Sequence, residues 1–189
     1  MSMGQEDRSP PRFRSLLVLG GARSGKSAYA QSLAESHGSE RLYLATAEVG
    51  DGEMAARIAR HRAGRGLGWT TLEEPLEVAG ALQAEARPGR VVVVDCLTLW
   101  LSNLILAGRD PASAIEALAQ AIGALKGPAI LVSNEVGLGI VPEHRLAREF
   151  RDWQGRANRE IAEACEAAVF IAAGLPIQLK PAPVLSVRF

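Results

Sequence analysis

Apolar and polar positions along this chain fall into short blocks that switch between continuous apolar runs and helical spacing. "SLLVLG" (15–20) is an apolar run closed by glycine and predicts a buried strand. "KSAYAQSLAESHG" follows with helical spacing and stops at Gly38. "RLYLATA" (41–47) predicts a second strand, and "DGEMAARIARHRAG" a helix with Asp51 as its N-cap that ends near Gly64. "WTTLEEP" predicts a short strand and "LEVAGALQAEA" a helix. "RVVVVDC" (90–96) is the clearest strand, because four consecutive valines leave no polar face. Burial on both sides is the mark of a central parallel strand. Helical segments are expected at 97–107 and 111–126, and "PAILVSNE" predicts another buried strand. Apolar or small residues at 146, 150, 153, 157, 161, 164 and 168 predict one long amphipathic helix from Glu143 to Ala168. "AVFIAAG" and "IQLK" close the sheet.

Strands linked by helices require crossover connections in a parallel or mostly parallel sheet. The expected fold is α/β, in three layers about a mostly parallel central sheet. The expected organisation is a flexible leader over 1–14, one domain over 15–180 and a tail over 181–189. A chain of 189 residues, 48% of them hydrophobic, suffices for one such domain with a real core.

Charge narrows the partners. The formal net charge is zero, which argues against a dedicated nucleic-acid binder. No apolar run is long enough to span a membrane, and the first residues carry acids and lack an apolar signal core. Cys96 and Cys165 form no C-x-x-C pattern, so they read as buried free thiols in a reducing compartment and not as a metal site. A cytoplasmic protein is expected.

The chemistry begins at "GGARSGKS" (20–27), where Gly20, Gly25, Lys26 and Ser27 satisfy G-x-x-x-x-G-K-[ST]. A buried strand precedes the motif and a helix begins within it, as a phosphate-binding loop requires. Glycines let successive N–H groups turn toward phosphate oxygens, and the helix N-terminus adds positive partial charge. Lys26 is expected to reach the terminal phosphates, Ser27 to hold Mg²⁺, and Arg23 to add a cation. Asp95 ends the valine strand and suits the metal carboxylate of a triphosphate site; its other use there would be to cap the next helix. Asn134 and Glu135 end the "ILVSNE" strand and are site candidates without an assigned contact.

"MAARIARHRAGRG" (54–66) surrounds His61 with Arg57, Arg60, Arg62 and Arg65. Guanidinium neighbours disfavour the charged imidazolium and leave a neutral ring with a free lone pair. The same cations would neutralise a phosphate under attack. The pattern fits a nucleophilic histidine that carries a phosphoryl or nucleotidyl group; the bland alternative is a solvated basic face. His37 sits at a helix end, and His144 begins a helix.

Taken together, "GGARSGKS", "YLATAE", the basic segment, "VDCLTLWLSNL" and the run from "SNEVGLGIVPEHRLAREFRD" to "IQLK" resemble the bifunctional adenosylcobinamide kinase / adenosylcobinamide-phosphate guanylyltransferase family. The resemblance spans about Leu16 to Lys180. It implies a RecA-type P-loop fold and a homotrimer. It also implies phosphorylation of adenosylcobinamide with ATP or GTP, then transfer of GMP from GTP through a guanylylated histidine that matches His61. By position, the implied nucleotide contacts are Gly20, Gly21, Ala22, Arg23, Ser24, Gly25, Lys26 and Ser27 in the loop. They continue with Thr46, Ala47 and Glu48, with Arg62, Ala63, Gly64 and Arg65, and with Glu73 and Asp95. Two positions depart from some members: Arg60 stands where a second histidine precedes the nucleophile, and Asp95 where glutamate occurs.

Kinase chemistry attacks the γ-phosphorus and guanylylation the α-phosphorus, so the segment 49–66, with glycines 50, 52, 64 and 66, is expected to move. Two other readings fit the residues: a P-loop small-molecule kinase without a covalent step, and a nucleotide-dependent switch or assembly ATPase.

Overall fold

The computed structural model describes residues 13–37, 40–47 and 66–182. The expected leader up to residue 12, the basic segment with His61, and the tail from 183 lie outside the described residues.

Seven strands form one sheet in the order β3-β2-β4-β5-β1-β6-β7. The strands are β1 (Ser15–Gly20), β2 (Glu40–Ala45), β3 (Trp69–Glu73), β4 (Arg90–Asp95), β5 (Ala129–Val132), β6 (Ala167–Ala172) and β7 (Leu175–Lys180). The first six run parallel, and β7 returns antiparallel along β6. The described helices are α1 (Lys26–Ser36), α2 (Val78–Glu85), α3 (Leu97–Leu106), α4 (Pro111–Gly123) and α5 (Arg145–Ala164). The expected α/β, mostly parallel class is observed.

The valine run explains the layering. Successive strand residues point to opposite faces, so Val91 and Val93 pack with Ala30 and Ala34 of α1. Val92 and Val94 pack instead with Leu82 of α2, Leu97 of α3, Ile115 of α4 and Ile161 of α5. All four valines are buried, as expected for a strand with neighbours on both edges.

Local signals set the helix ends. Asp110 precedes α4, accepts hydrogen bonds from the N–H groups of Ala112 and Ser113, and is followed by Pro111 at the first helical position. The Ser113 hydroxyl, ahead of those two N–H groups, holds the Asp110 carboxyl below its ordinary range. The long amphipathic helix is shorter than its spacing predicts, because Ala167 and Ala168 belong to β6 and pair with Leu16 and Leu17. Three- and four-residue spacing cannot tell a last helical turn from a buried strand that follows at once. The end of α5 is fixed from a distance: Lys180 of β7 donates to the carbonyls of Ala162 (3.1 Å), Glu163 (2.8 Å) and Cys165. A cation on the last carbonyls of a helix satisfies acceptors that have no partner within it. Arg14, last residue of the expected leader, is already bonded: its N–H and guanidinium donate to Glu166.

Removing the Lys180 ammonium while keeping its stem tests this cap. Lys180→Met is expected to lower the unfolding free energy by about 1–3 kcal/mol in urea denaturation, the usual worth of charged hydrogen bonds. An unchanged midpoint would mean that water replaces the lysine at no cost.

Candidate active site

The loop between β1 and α1 is shaped by main-chain conformation. Gly20 has φ +150°, and a Cβ there would lie 2.5 Å from the carbonyl oxygen of Ile171 in β6. Only glycine lets the chain turn off the sheet so close to its neighbour. Gly25, with φ +99°, is the N-cap of α1, which has no capping side chain and no acid in its first turn. Arg23 also lies in the left-handed region, with φ 57°.

Three carbonyls of the loop are engaged, two by N–H groups from other strands' ends and one by the loop's own lysine. Gly20 accepts from Glu135 N–H at 3.0 Å, Ser24 from Gly174 N–H at 2.9 Å, and Gly21 from the Lys26 ammonium at 2.5 Å. With its acceptors turned to these partners, the loop and the first turn of α1 form a nest for an anion. Lys26 is 7% exposed, and its ammonium also lies 3.5 Å from Ser24 Oγ. Gly21, Ala22, Arg23, Gly25 and Ser27 line the same turn, with Ala22, Arg23 and Gly25 exposed.

Parallel register brings the other candidates to the same edge. Ala45 pairs with both Glu73 and Asp95, and Asp95 with Val132. The carboxyl ends of β3, β2, β4 and β5 therefore form one row beside the loop, where open α/β sheets bind ligands. Asp95 does not cap α3, whose N-cap is Cys96; its carboxylate accepts a 2.5 Å hydrogen bond from the Tyr43 hydroxyl. The Cys96 thiol is raised to about 11, chiefly by burial and then by the Asp95 carboxylate, with the Lys26 ammonium opposing. Cys165, beyond α5, is raised to about 12 by burial.

Thr46 also has a structural part. It is 0% exposed, and its hydroxyl donates to Cys96 O at 2.7 Å and accepts from Cys96 N–H at 2.8 Å. Its N–H goes to Asp95 O, and its carbonyl accepts from the Asn103 amide at 2.8 Å. All its polar groups are bonded inside the chain, so Thr46 fixes the strand end. Ala47, half-buried, follows it. Glu48, His61, Arg62, Ala63, Gly64 and Arg65 lie outside the described residues. Glu73 is exposed at the end of β3.

The sequence reading did not find the α3 clamp. Asn103 bridges the carbonyls of Thr46 and Pro75 (2.8 and 3.2 Å), and Trp100, three residues earlier, donates to Leu76 O at 2.8 Å. Thr98, in the first turn, accepts from both the N–H and the amide of Asn134. The available signal is the presence of Thr98, Ser102 and Asn103 in the otherwise apolar "LTLWLSNLIL". A second polar group lies deeper. Gln154 and Asn158 of α5 bond Ser133, and Asn158 donates to Asn134 O at 3.0 Å. Asn134 is thus gripped from two helices. His144 is the N-cap of α5 without a side-chain bond, and His37 caps α1 at its C-terminus.

Residues 16–179 match the family described as cobinamide kinase / cobinamide phosphate guanyltransferase. The chain belongs to that family. It is similar to the bifunctional adenosylcobalamin biosynthesis protein CobP of Pseudomonas aeruginosa, at 53% identity over 170 residues, covering 88% of this chain and 98% of the relative. The corresponding CobU protein of Escherichia coli K12 is 41% identical over 180 residues, covering 87% and 99%. Among solved structures, the P4 protein of bacteriophage phi6 in complex with ADP aligns with a TM-score of 0.49 at 16% identity, over 97% of this chain and 67% of that one. As a member of the family, the protein is an enzyme, a bifunctional cobinamide kinase and cobinamide phosphate guanylyltransferase. No helix among the described residues is long and apolar enough to cross a membrane.

Two predictions follow from this geometry. Asn103→Ala leaves two carbonyls without their donor and is expected to cost about 1–3 kcal/mol of stability in urea denaturation. Asn103→Asp, which sets acceptors against acceptors, should cost at least as much, and a wild-type midpoint for either would contradict the clamp. The thiols give the pH response. Both keep their protons to higher pH in the folded chain, so their contribution is complete below the ordinary thiol range. It is lost as pH rises through about 11 for Cys96 and about 12 for Cys165. Ellman's reagent at mildly alkaline pH should modify neither thiol of the native protein and both after denaturation.

Proposed function

We propose that the enzyme transfers the γ-phosphoryl group of ATP or GTP to the aminopropanol hydroxyl of adenosylcobinamide. It then moves GMP from GTP onto the resulting phosphate through a covalent guanylyl group on His61. The observation that supports this most is the cradle at Gly20–Ser27, with the Lys26 ammonium held at its inner wall. In the first reaction the substrate hydroxyl attacks the γ-phosphorus and passes its proton to solvent, the bond from the γ-phosphorus to the β,γ-bridging oxygen breaks, and ADP or GDP leaves. Lys26 and the loop N–H groups take up charge on the phosphate oxygens. In the second, the His61 lone pair attacks the α-phosphorus and pyrophosphate leaves. The phosphate of adenosylcobinamide phosphate then attacks the same phosphorus, the P–N bond breaks, and adenosylcobinamide-GDP forms with His61 restored.

Mg²⁺ belongs to this reading as charge compensation for the triphosphate. Ser27 and Asp95 would hold it: a hydroxyl and a carboxylate are the hard oxygen donors it prefers, and phosphates and water complete its shell. The nucleotide contacts proposed from the resemblance are the loop Gly20–Ser27, Thr46, Ala47, Glu48, Arg62, Ala63, Gly64, Arg65, Glu73 and Asp95, with Thr46 also holding the strand end. We also propose a homotrimer in the cytoplasm. The outer strand β7 supports an interface between copies, since it exposes Leu175, Ile177 and Leu179 on alternate positions.

α-Labelled GTP tests the covalent step. Wild-type protein should retain an acid-labile, alkali-stable label, and His61→Ala should lower it by at least about a hundredfold while the cobinamide kinase rate stays within about threefold. A label that survives His61→Ala places the nucleophile elsewhere. No label in the wild type leaves a kinase without a covalent step.

A further inference from the structure

The loop from Val136 to Val141 leaves β5 and enters the turn before α5. It exposes Leu138 (84%), Ile140 (97%) and Val141 (58%), and Leu146 follows on the first turn of α5 (60%). Four aliphatic side chains turned to solvent in one short stretch form a patch that calls for a partner. The stretch is held at both ends. Glu135 accepts from Gly137 N–H at 2.6 Å, and Arg148 donates to the carbonyls of Pro142 (3.0 Å) and Glu143 (2.5 Å).

Its root decides its meaning. Glu135 N–H is bonded to Gly20 O, and the Lys26 ammonium lies on Gly21 O. In a loop of this type the lysine marks the β- and γ-phosphates, so the Gly20–Gly21 end of the cradle is the terminal-phosphate end. The apolar stretch is therefore rooted at that end, next to where a hydroxyl acceptor would meet the γ-phosphorus. The acceptor's body cannot be far from its reacting hydroxyl. A corrinoid is a rigid macrocycle edged with methyl groups and amide arms, and it needs apolar contact spread over a broad face. The other exposed apolar strip, on β7, leaves from the opposite side of β1 in the strand order.

We infer that Leu138, Ile140, Val141 and Leu146 seat the corrin ring of the acceptor beside the terminal-phosphate end of the cradle. This rests on the reading of the acceptor as a cobinamide. The test uses the full-length double variant Leu138→Ser/Ile140→Ser, whose side chains are exposed and whose fold should be unaffected. With adenosylcobinamide as the probe, KM in the kinase assay should rise at least about tenfold. KM for the nucleotide, labelling by α-labelled GTP and sedimentation mass should all stay at wild-type values. An unchanged cobinamide KM overturns the inference and leaves the proposed function standing. A lowered sedimentation mass also overturns it, because the face would then join copies of the chain. Failure of the wild type to bind adenosylcobinamide, followed by its visible absorbance in equilibrium dialysis, overturns the proposed function along with it.

Discussion

The Lys26 ammonium is almost fully buried and lies 2.5 Å from the carbonyl of Gly21. A cation held away from water is tolerated only where acceptors meet it, and the loop that it serves supplies Gly21 O and Ser24 Oγ. That loop keeps its shape because Gly20 passes under β6 with no side chain, and because Glu135 and Gly174 donate to its outward carbonyls. The cradle is therefore a property of β1 together with the ends of β5 and β6. Strand order puts those ends on either side of β1, and the antiparallel β7 makes room for the Gly174 turn.

A second set of constraints builds the rest of the edge. Parallel register sets Glu73, Ala45, Asp95 and Val132 in one row. Register alone leaves the strand exits free, and α3 removes that freedom through Trp100, Asn103 and Thr98. α5, on the same face of the sheet, does the same at the end of β5 through Gln154 and Asn158. Polar side chains buried in these helices are costly unless paired, so the site edge is held by bonds that the fold cannot easily rearrange. A nucleotide and a corrinoid would then meet a preformed wall, and the chemistry would depend on what approaches it.

The fold was legible because its signals are contiguous. Four valines declare a central strand, and "GGARSGKS" declares the cradle, without reference to anything distant. The clamp was not legible, since Asn103 meets carbonyls 57 and 28 residues away. The structural part of Thr46 is hidden for the same reason: its bonds to Cys96 and Asn103 join residues far apart in sequence. The end of α5 was set by Lys180 and by pairing of β6 with β1, neither of which enters a helical period. Asp95 was placed at the edge correctly, while its bond to Tyr43 needed the register of β2 against β4.

The account stands on Lys26 as the group that receives the terminal phosphates. Titration calorimetry of magnesium GTP against wild-type protein and Lys26→Met, with thermal melting as the control for folding, addresses it directly. The variant should fold and lose at least about a hundredfold in GTP affinity, as expected when a charged contact to phosphate is removed from a partly desolvated site. Wild-type affinity in a folded Lys26→Met protein would show that the nucleotide sits elsewhere.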